Sequence, residues 1–289
     1  MDRDVERMVA DMEVRGLSAL TRRIYRRRVE RFAAHFGRPP GELGAEDVAA
    51  YFLHLTRERG LCAASRNQVA AALRFFFETT RQTPEMVAAL PRARVTKPLP
   101  VVLSPAEVSR LLASFRSSKH RAIASLCYGA GLRVSEACEL EIGDIDSERG
   151  LLRIRGKGAK VRELPLGERL LEELRAYWRE HRPPRPLMFP SSTEPGRAIS
   201  RRAFWRALQA AAARAGVAKH VSAHVLRHSY ATHLVEAGVD LRSVQLLLGH
   251  AQLHTTMIYV HLTHARRAAL PSPLDRLEPQ KTRVTQKTG

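Results

Sequence analysis

Six side chains in the latter part of this sequence are of the types that a phosphate-handling centre needs. Arg133 stands in the run Gly129-Ala130-Gly131-Leu132-Arg133-Val134-Ser135-Glu136, after a glycine-loosened turn and at the predicted start of a helix. Backbone donors and the helix dipole favour an anion at such a place, so this arginine can grip a phosphate. Lys157 lies between Gly156 and Gly158, where its ammonium is mobile enough to enter a groove beside a leaving oxygen. His224 and Arg227 are three residues apart, a spacing that puts an imidazole and a guanidinium on one helical face. His250 follows Leu248-Gly249 just past a predicted helix end, and Tyr259 presents a phenol nine residues later.

Taken singly, each of these has an ordinary structural reading. A lone helical tyrosine is usually half-buried packing, and His-x-x-Arg pairs arise by chance. His224, His228 and His233 have helical spacing for metal ligation, yet no carboxylate or third ligand completes a recognisable site. His228 and His233 read instead as packing or hydrogen-bonding histidines, Tyr230 as a core residue, and Glu136 as the partner of a basic neighbour.

Positioning these groups requires a helical framework with one small sheet. From Ser104-Pro105-Ala106-Glu107, a cap followed by a proline at the first helical position, helices dominate. The exception runs from Ile145 to Leu166, where short alternating runs flank a glycine-bounded turn and predict a small antiparallel sheet with a basic hairpin tip. Helical patterning resumes at 200–215, 222–237, 240–248 and about 253–261. The unit carrying the six residues therefore spans 103–270, followed by a polar tail, 271–289. Ahead of it, apolar residues at three- and four-residue spacing predict a four-helix domain over 1–82, its second helix after Ser18, its third over Ala45–Arg59 and its fourth over Ala63–Thr80. Arg22, Arg23, Arg26, Arg27 and Arg28 on the second helix, with Arg66, Asn67, Gln68 and Arg74 on the fourth, suit phosphate and groove contacts. Between the two domains, 83–102 is rich in proline and arginine and reads as an extended basic linker.

The 289 residues carry 48 Lys+Arg against 29 Asp+Glu, a net charge of +19 that is spread along the chain. A polyanion is the natural partner, because facing phosphates releases counterions and steers association. No run of about 18 apolar residues occurs and no apolar segment follows the first residues, so neither a membrane span nor a signal peptide is expected, and the cytoplasm is the expected compartment. Three cysteines without a CxxC spacing point to reduced, mostly buried thiols.

Read together and in order, the motifs resemble the tyrosine recombinase (phage integrase) family, especially Xer-type site-specific integrases. The likeness rests on Gly131-Leu132-Arg133-Val134-Ser135-Glu136, on Gly156-Lys157-Gly158 running to Pro165-Leu166, on His224-Val225-Leu226-Arg227-His228 through Ala231-Thr232-His233-Leu234, and on Leu247-Leu248-Gly249-His250 with Thr255-Thr256 before Tyr259. It covers nearly the whole chain and departs at none of the six positions. The resemblance implies a mainly α fold, with a helical DNA-clamping domain ahead of an α+β catalytic domain. It implies a recombinase that cuts and rejoins DNA through a 3′-phosphotyrosyl bond at Tyr259 and passes through a Holliday junction. Arg133, Arg227 and His250 would bind the non-bridging oxygens, Lys157 would protonate the leaving 5′-oxygen, and His224 would take or relay the phenolic proton. Neither a metal nor ATP is then required, since the phosphodiester energy stays in the covalent bond. Implied partners are double-stranded DNA, a homotetramer on two DNA sites, and a related recombinase or an accessory DNA-bending protein. Two other readings stand beside it: the same chemistry as a type IB topoisomerase or hairpin resolvase, and DNA binding without catalysis.

Overall fold

The side chain of Asp2 accepts the backbone N–H groups of Asp4 and Val5 and starts the first helix, α1 (Arg3–Val14). Ser18 does the same for α2 (Ala19–Phe36) by accepting from Thr21. The helices α3 (Ala45–Arg57) and α4 (Ala63–Arg74) follow, and α4 runs on into wider turns over Phe75–Arg81. The computed structural model describes residues 2–91, 93–94, 100–155 and 161–249. These fall into two units, Met1–Pro98 and Leu99–Gly289, each with a core of its own. The core of the first is built from Met8, Met12, Phe32, Leu73 and Phe76, all fully enclosed.

The segment beginning at residue 83 departs from the extended linker expected there. Pro84–Val87 forms a 3₁₀ turn, and Val87 and Leu90 are buried in the first core. Asn67 pairs with both main-chain groups of Ala93, at 2.8 and 2.9 Å, and Arg74 donates to the Leu90 carbonyl at 2.5 Å. Prolines dominate the composition of this stretch, but two apolar residues three apart are enough to seat it on α4. Asn67 and Arg74, both expected to face DNA, are thereby committed inside the unit, and other side chains of that set bond within it as well. Arg66 donates to the Leu61 carbonyl and Gln68 accepts from Arg28, while Arg23 and Arg27 are exposed.

The second unit starts with α5 (Pro105–Ala113), where Ser104 and Glu107 satisfy each other's backbone N–H in a capping box. At its centre lies α6 (Ser118–Gly129), buried without interruption from Ala122 to Cys127. After the short α7 (Val134–Cys138), the strands β1 (Ile145–Asp146), β2 (Leu151–Arg155) and β3 (Val161–Pro165) form the expected antiparallel sheet in that order. Along β2, Leu152 and Ile154 are buried while Arg153 and Arg155 face outward, the period of a half-buried strand. The ladder ends at the pair Arg155 and Val161. The remaining helices are α8 (Glu168–His181), α9 (Arg201–Arg214), α10 (Ala223–Glu236) and α11 (Leu241–Leu248). Ala231 and Val235 of α10 pack against Val244 and Leu248 of α11 in an apolar seam.

The helix expected near 253–261 and the polar tail lie outside the described residues. Among the described residues, no helix is long and apolar enough to cross a membrane. Cys127 and Cys138 are buried as expected, whereas Cys62 is exposed at the start of α4.

Candidate active site

The turn after α6 delivers Arg133. Gly131 adopts φ +63°, a left-handed conformation, and the Leu132 N–H closes back onto the Leu126 carbonyl at 3.2 Å. A Cβ at Gly131 would lie 2.6 Å from ring carbons of Tyr230 on α10 and 3.1 Å from Leu248 on α11. Only glycine lets the turn pass this close to both helices. Arg133 then caps α7, but this helix has five residues, and the Arg133 N–H is already taken by the Glu136 carboxylate at 2.9 Å. The expected helix-dipole contribution is therefore small, and the guanidinium itself must carry any grip on an anion.

That guanidinium is partly exposed. Its Nη1 donates to Glu136 at 2.8 Å and its Nη2 to the Gly249 carbonyl at 3.2 Å. Ser222 caps α10 by accepting from Val225, which places His224 on the exposed side of the first turn and Arg227 one turn on, facing inward and 4% exposed. Arg227 donates to the Gly131 carbonyl at 2.5 Å and to the Leu248 carbonyl at 2.6 Å. Both arginines thus converge on the C-terminal carbonyls of α11, where the helix dipole favours cations. The next residue after Gly249 is His250.

The electrostatics follow from this convergence. Burial lowers the pKa of His224, and the nearby Arg227 and Arg133 lower it further. His228, one turn along the helix, is pushed down to about 4 by burial, by His224 and by Arg227. Both imidazoles are neutral at pH 7, and a neutral His224 can accept a proton. For Glu136, burial would raise the pKa, but hydrogen bonds from Arg162 and from the backbone and side chain of Arg133 outweigh it and hold the carboxyl at about 2. The other polar residues behave as ordinary structure: His233 bonds the Tyr128 hydroxyl at 2.9 Å through Nδ1, and Tyr230 packs against the Gly131 turn.

Of the six chemical positions, Arg133, His224 and Arg227 come together here. Lys157, His250 and Tyr259 lie outside the described residues. Arg162, which no sequence motif singles out, also belongs to the site and binds both oxygens of Glu136 at 3.0 and 2.7 Å. A signal was available, because on β3 Arg162 shares its face with Leu164, and an arginine on the buried face of a strand needs a partner.

The Phage integrase family matches residues 101–266, and the Phage integrase N-terminal SAM-like domain matches residues 5–85. This chain belongs to the phage integrase family, the tyrosine recombinases. A putative integrase/recombinase, y4qK, of Sinorhizobium fredii is 43% identical over 274 residues, covering 94% of this chain and 88% of that protein. Tyrosine recombinase XerA of Thermococcus kodakarensis is 38% identical over 270 residues, covering 91% of this chain and 93% of that one. Among solved structures, the XerH recombinase bound to palindromic difH substrate, in a post-cleavage complex, aligns with a TM-score of 0.69 at 25% identity over 89% of this chain and 80% of that one. The Tn1549 transposon integrase, at 20% identity and a TM-score of 0.72 over 93% and 99% of the two chains, shares the fold. As a tyrosine recombinase, the chain is an enzyme that acts on double-stranded DNA and recombines it at specific sites through a covalent intermediate.

Proposed function

We propose that Tyr259 is the nucleophile of this recombinase and that Arg133, Lys157, His224, Arg227 and His250 assemble the scissile phosphate in front of it. The observation that supports this is the convergence of Arg133, Arg227 and a neutral His224 around the end of α11, immediately before His250. The Tyr259 oxygen attacks phosphorus while His224 accepts the phenolic proton. The bond to the 5′-oxygen breaks, Lys157 gives that oxygen a proton, and a 3′-phosphotyrosyl ester remains. Arg133, Arg227 and His250 donate to the non-bridging oxygens as charge builds on them, and Arg227 also holds the frame that aims the other two. The freed 5′-hydroxyl of a second duplex then reverses the step, so that two rounds of exchange in a homotetramer on two sites pass through a Holliday junction. A related recombinase could supply two of the four subunits, and an accessory DNA-bending protein could bring the sites together.

The test begins with covalent capture. The full chain is incubated, in excess EDTA, with a pool of duplexes of random sequence carrying single nicks, and protein–DNA adducts that survive denaturant are sequenced. Adducts should form, cleavage should map next to the nicks, and Tyr259→Phe should form none while still binding the same duplexes. An equal adduct yield with Tyr259→Phe would remove the nucleophile assignment. With the captured sequence placed on two plasmids, joined products are expected; relaxation of supercoils without joined products would instead indicate a topoisomerase.

A further inference from the structure

The carboxylate of Glu136 sits among three guanidinium groups. Arg133 reaches it through its main-chain N–H at 2.9 Å and through Nη1 at 2.8 Å. Arg162 takes both oxygens in a fork at 3.0 and 2.7 Å, and Nη1 of Arg227 stands 4.0 Å away. The Arg162 and Glu136 side chains are only 16% and 8% exposed, so this is a largely desolvated pair. Arg162 also underlies the end of α11, because a Cβ at Gly249 would lie 3.2 Å from its Cδ and Nη1. In the sequence it follows Lys157 by five residues, on the strand that leaves the hairpin.

An ionised carboxylate beside Arg133 is a competitor of the substrate phosphate, since both are oxyanions that fit the same fork. We propose that Arg162 is a positioning residue that resolves this competition. By holding both oxygens of Glu136, it limits the carboxylate to one side-chain bond from Arg133, through Nη1, so that Glu136 orients the guanidinium without closing over its other donors. The same fork fastens β3 to α7, and so fixes, relative to the arginines, the strand that follows Lys157 in the sequence. Without Arg162, Glu136 is left with Arg133 and Arg227 alone and turns onto the donors that the phosphate needs. A lysine cannot replace it, because one ammonium cannot serve two oxygens in a plane.

This inference rests on the recombinase reading, and the experiment separates the two. Single-turnover cleavage and dissociation constants are measured on a nicked duplex captured by the wild-type chain, for wild type, Arg162→Met, Arg162→Lys, Glu136→Gln and the Arg162→Met/Glu136→Gln pair. Failure of the wild type to form an adduct would count against the recombinase reading itself. With an active wild type, Arg162→Met should cleave roughly 30-fold more slowly and Arg162→Lys roughly 10-fold, with DNA affinity within about 3-fold of wild type. In the Glu136→Gln background the same Arg162→Met change should cost less than about 3-fold, because Arg162 acts through that carboxylate. Equal losses in both backgrounds, or a loss explained wholly by weaker DNA binding, would overturn the proposal. Should Arg162→Met fail to unfold cooperatively, Arg162→Lys decides alone, and a wild-type rate for it overturns the proposal.

Discussion

Arg227 donates Nη1 to the main-chain carbonyl of Gly131 at 2.5 Å, and so ties α10 to the turn that delivers Arg133. Its Nη2 reaches Leu248 at the end of α11, so one buried side chain holds two other elements of the site in register. An arginine that the spacing presents as a phosphate ligand is thus also a structural brace. Replacing it with lysine keeps the charge but not the fork, and leaves at least one of these buried carbonyls without its donor, at about 1–3 kcal/mol. Arg227→Lys should therefore lose stability in urea titration and, separately, lose on the order of 100-fold in single-turnover cleavage even where it is fully folded. Stability unchanged from wild type would show that the brace does not exist.

Gly131 should be intolerant of any side chain. Its φ of +63° disfavours L-residues, and a new Cβ would meet the Tyr230 ring at 2.6 Å. Gly131→Ala is expected to cost about 2 kcal/mol or more and to slow cleavage by displacing Arg133. Gly143→Ala is the matched control, since nothing lies within 4 Å of a Cβ there and its backbone is unstrained. Thermal unfolding of the two variants side by side checks this; equal melting temperatures would refute the close approach.

The sequence was informative wherever periodicity and capping residues act locally, and misleading wherever a polar side chain is used at a distance. Ser18 and Ser104 each cap the helix predicted after them, and the hairpin pairs as its alternation requires. The fate of 83–94 was hidden because its hold on α4 runs through Asn67 and Arg74, whose partners at Ala93 and Leu90 are far along the chain. For the same reason the spacing of His224 and Arg227 puts them on one helical face and gives no indication that His224 stays on the exposed side while Arg227 turns inward. Arg162 was legible only as a polar residue on an apolar face, since nothing local points to Glu136, which is 26 residues away.

His228 should make the catalytic unit sensitive to acid. Burial, His224 and Arg227 hold its folded pKa at about 4, below the ordinary imidazole value of 6.5. Protonation therefore favours the unfolded chain, and the contribution is present above pH 6.5 and lost as pH falls through about 4. Glu136, with a folded pKa of about 2, does not weaken over most of this window, because its contribution declines only below its unfolded value of 4.5. Urea midpoints measured from pH 7 to pH 4 should fall in wild type and fall less steeply in His228→Gln. Parallel slopes would assign the acid sensitivity to other groups.

The rate of cleavage should follow His224 on its acid side. Burial, Arg227 and Arg133 depress its pKa in the free enzyme, so the proton acceptor stays unprotonated below the ordinary imidazole value of 6.5. A phosphate bound between the arginines cancels part of their field, so its pKa in the complex should lie above that in the free enzyme. Under single-turnover conditions, the acid limb measured at low protein concentration should therefore lie below pH 6.5, and the limb measured at saturation should lie higher. His224→Gln should lower the rate on the order of 100-fold and flatten this limb. A limb that persists unchanged in His224→Gln belongs to another group, and the phenolic proton then leaves by a different path.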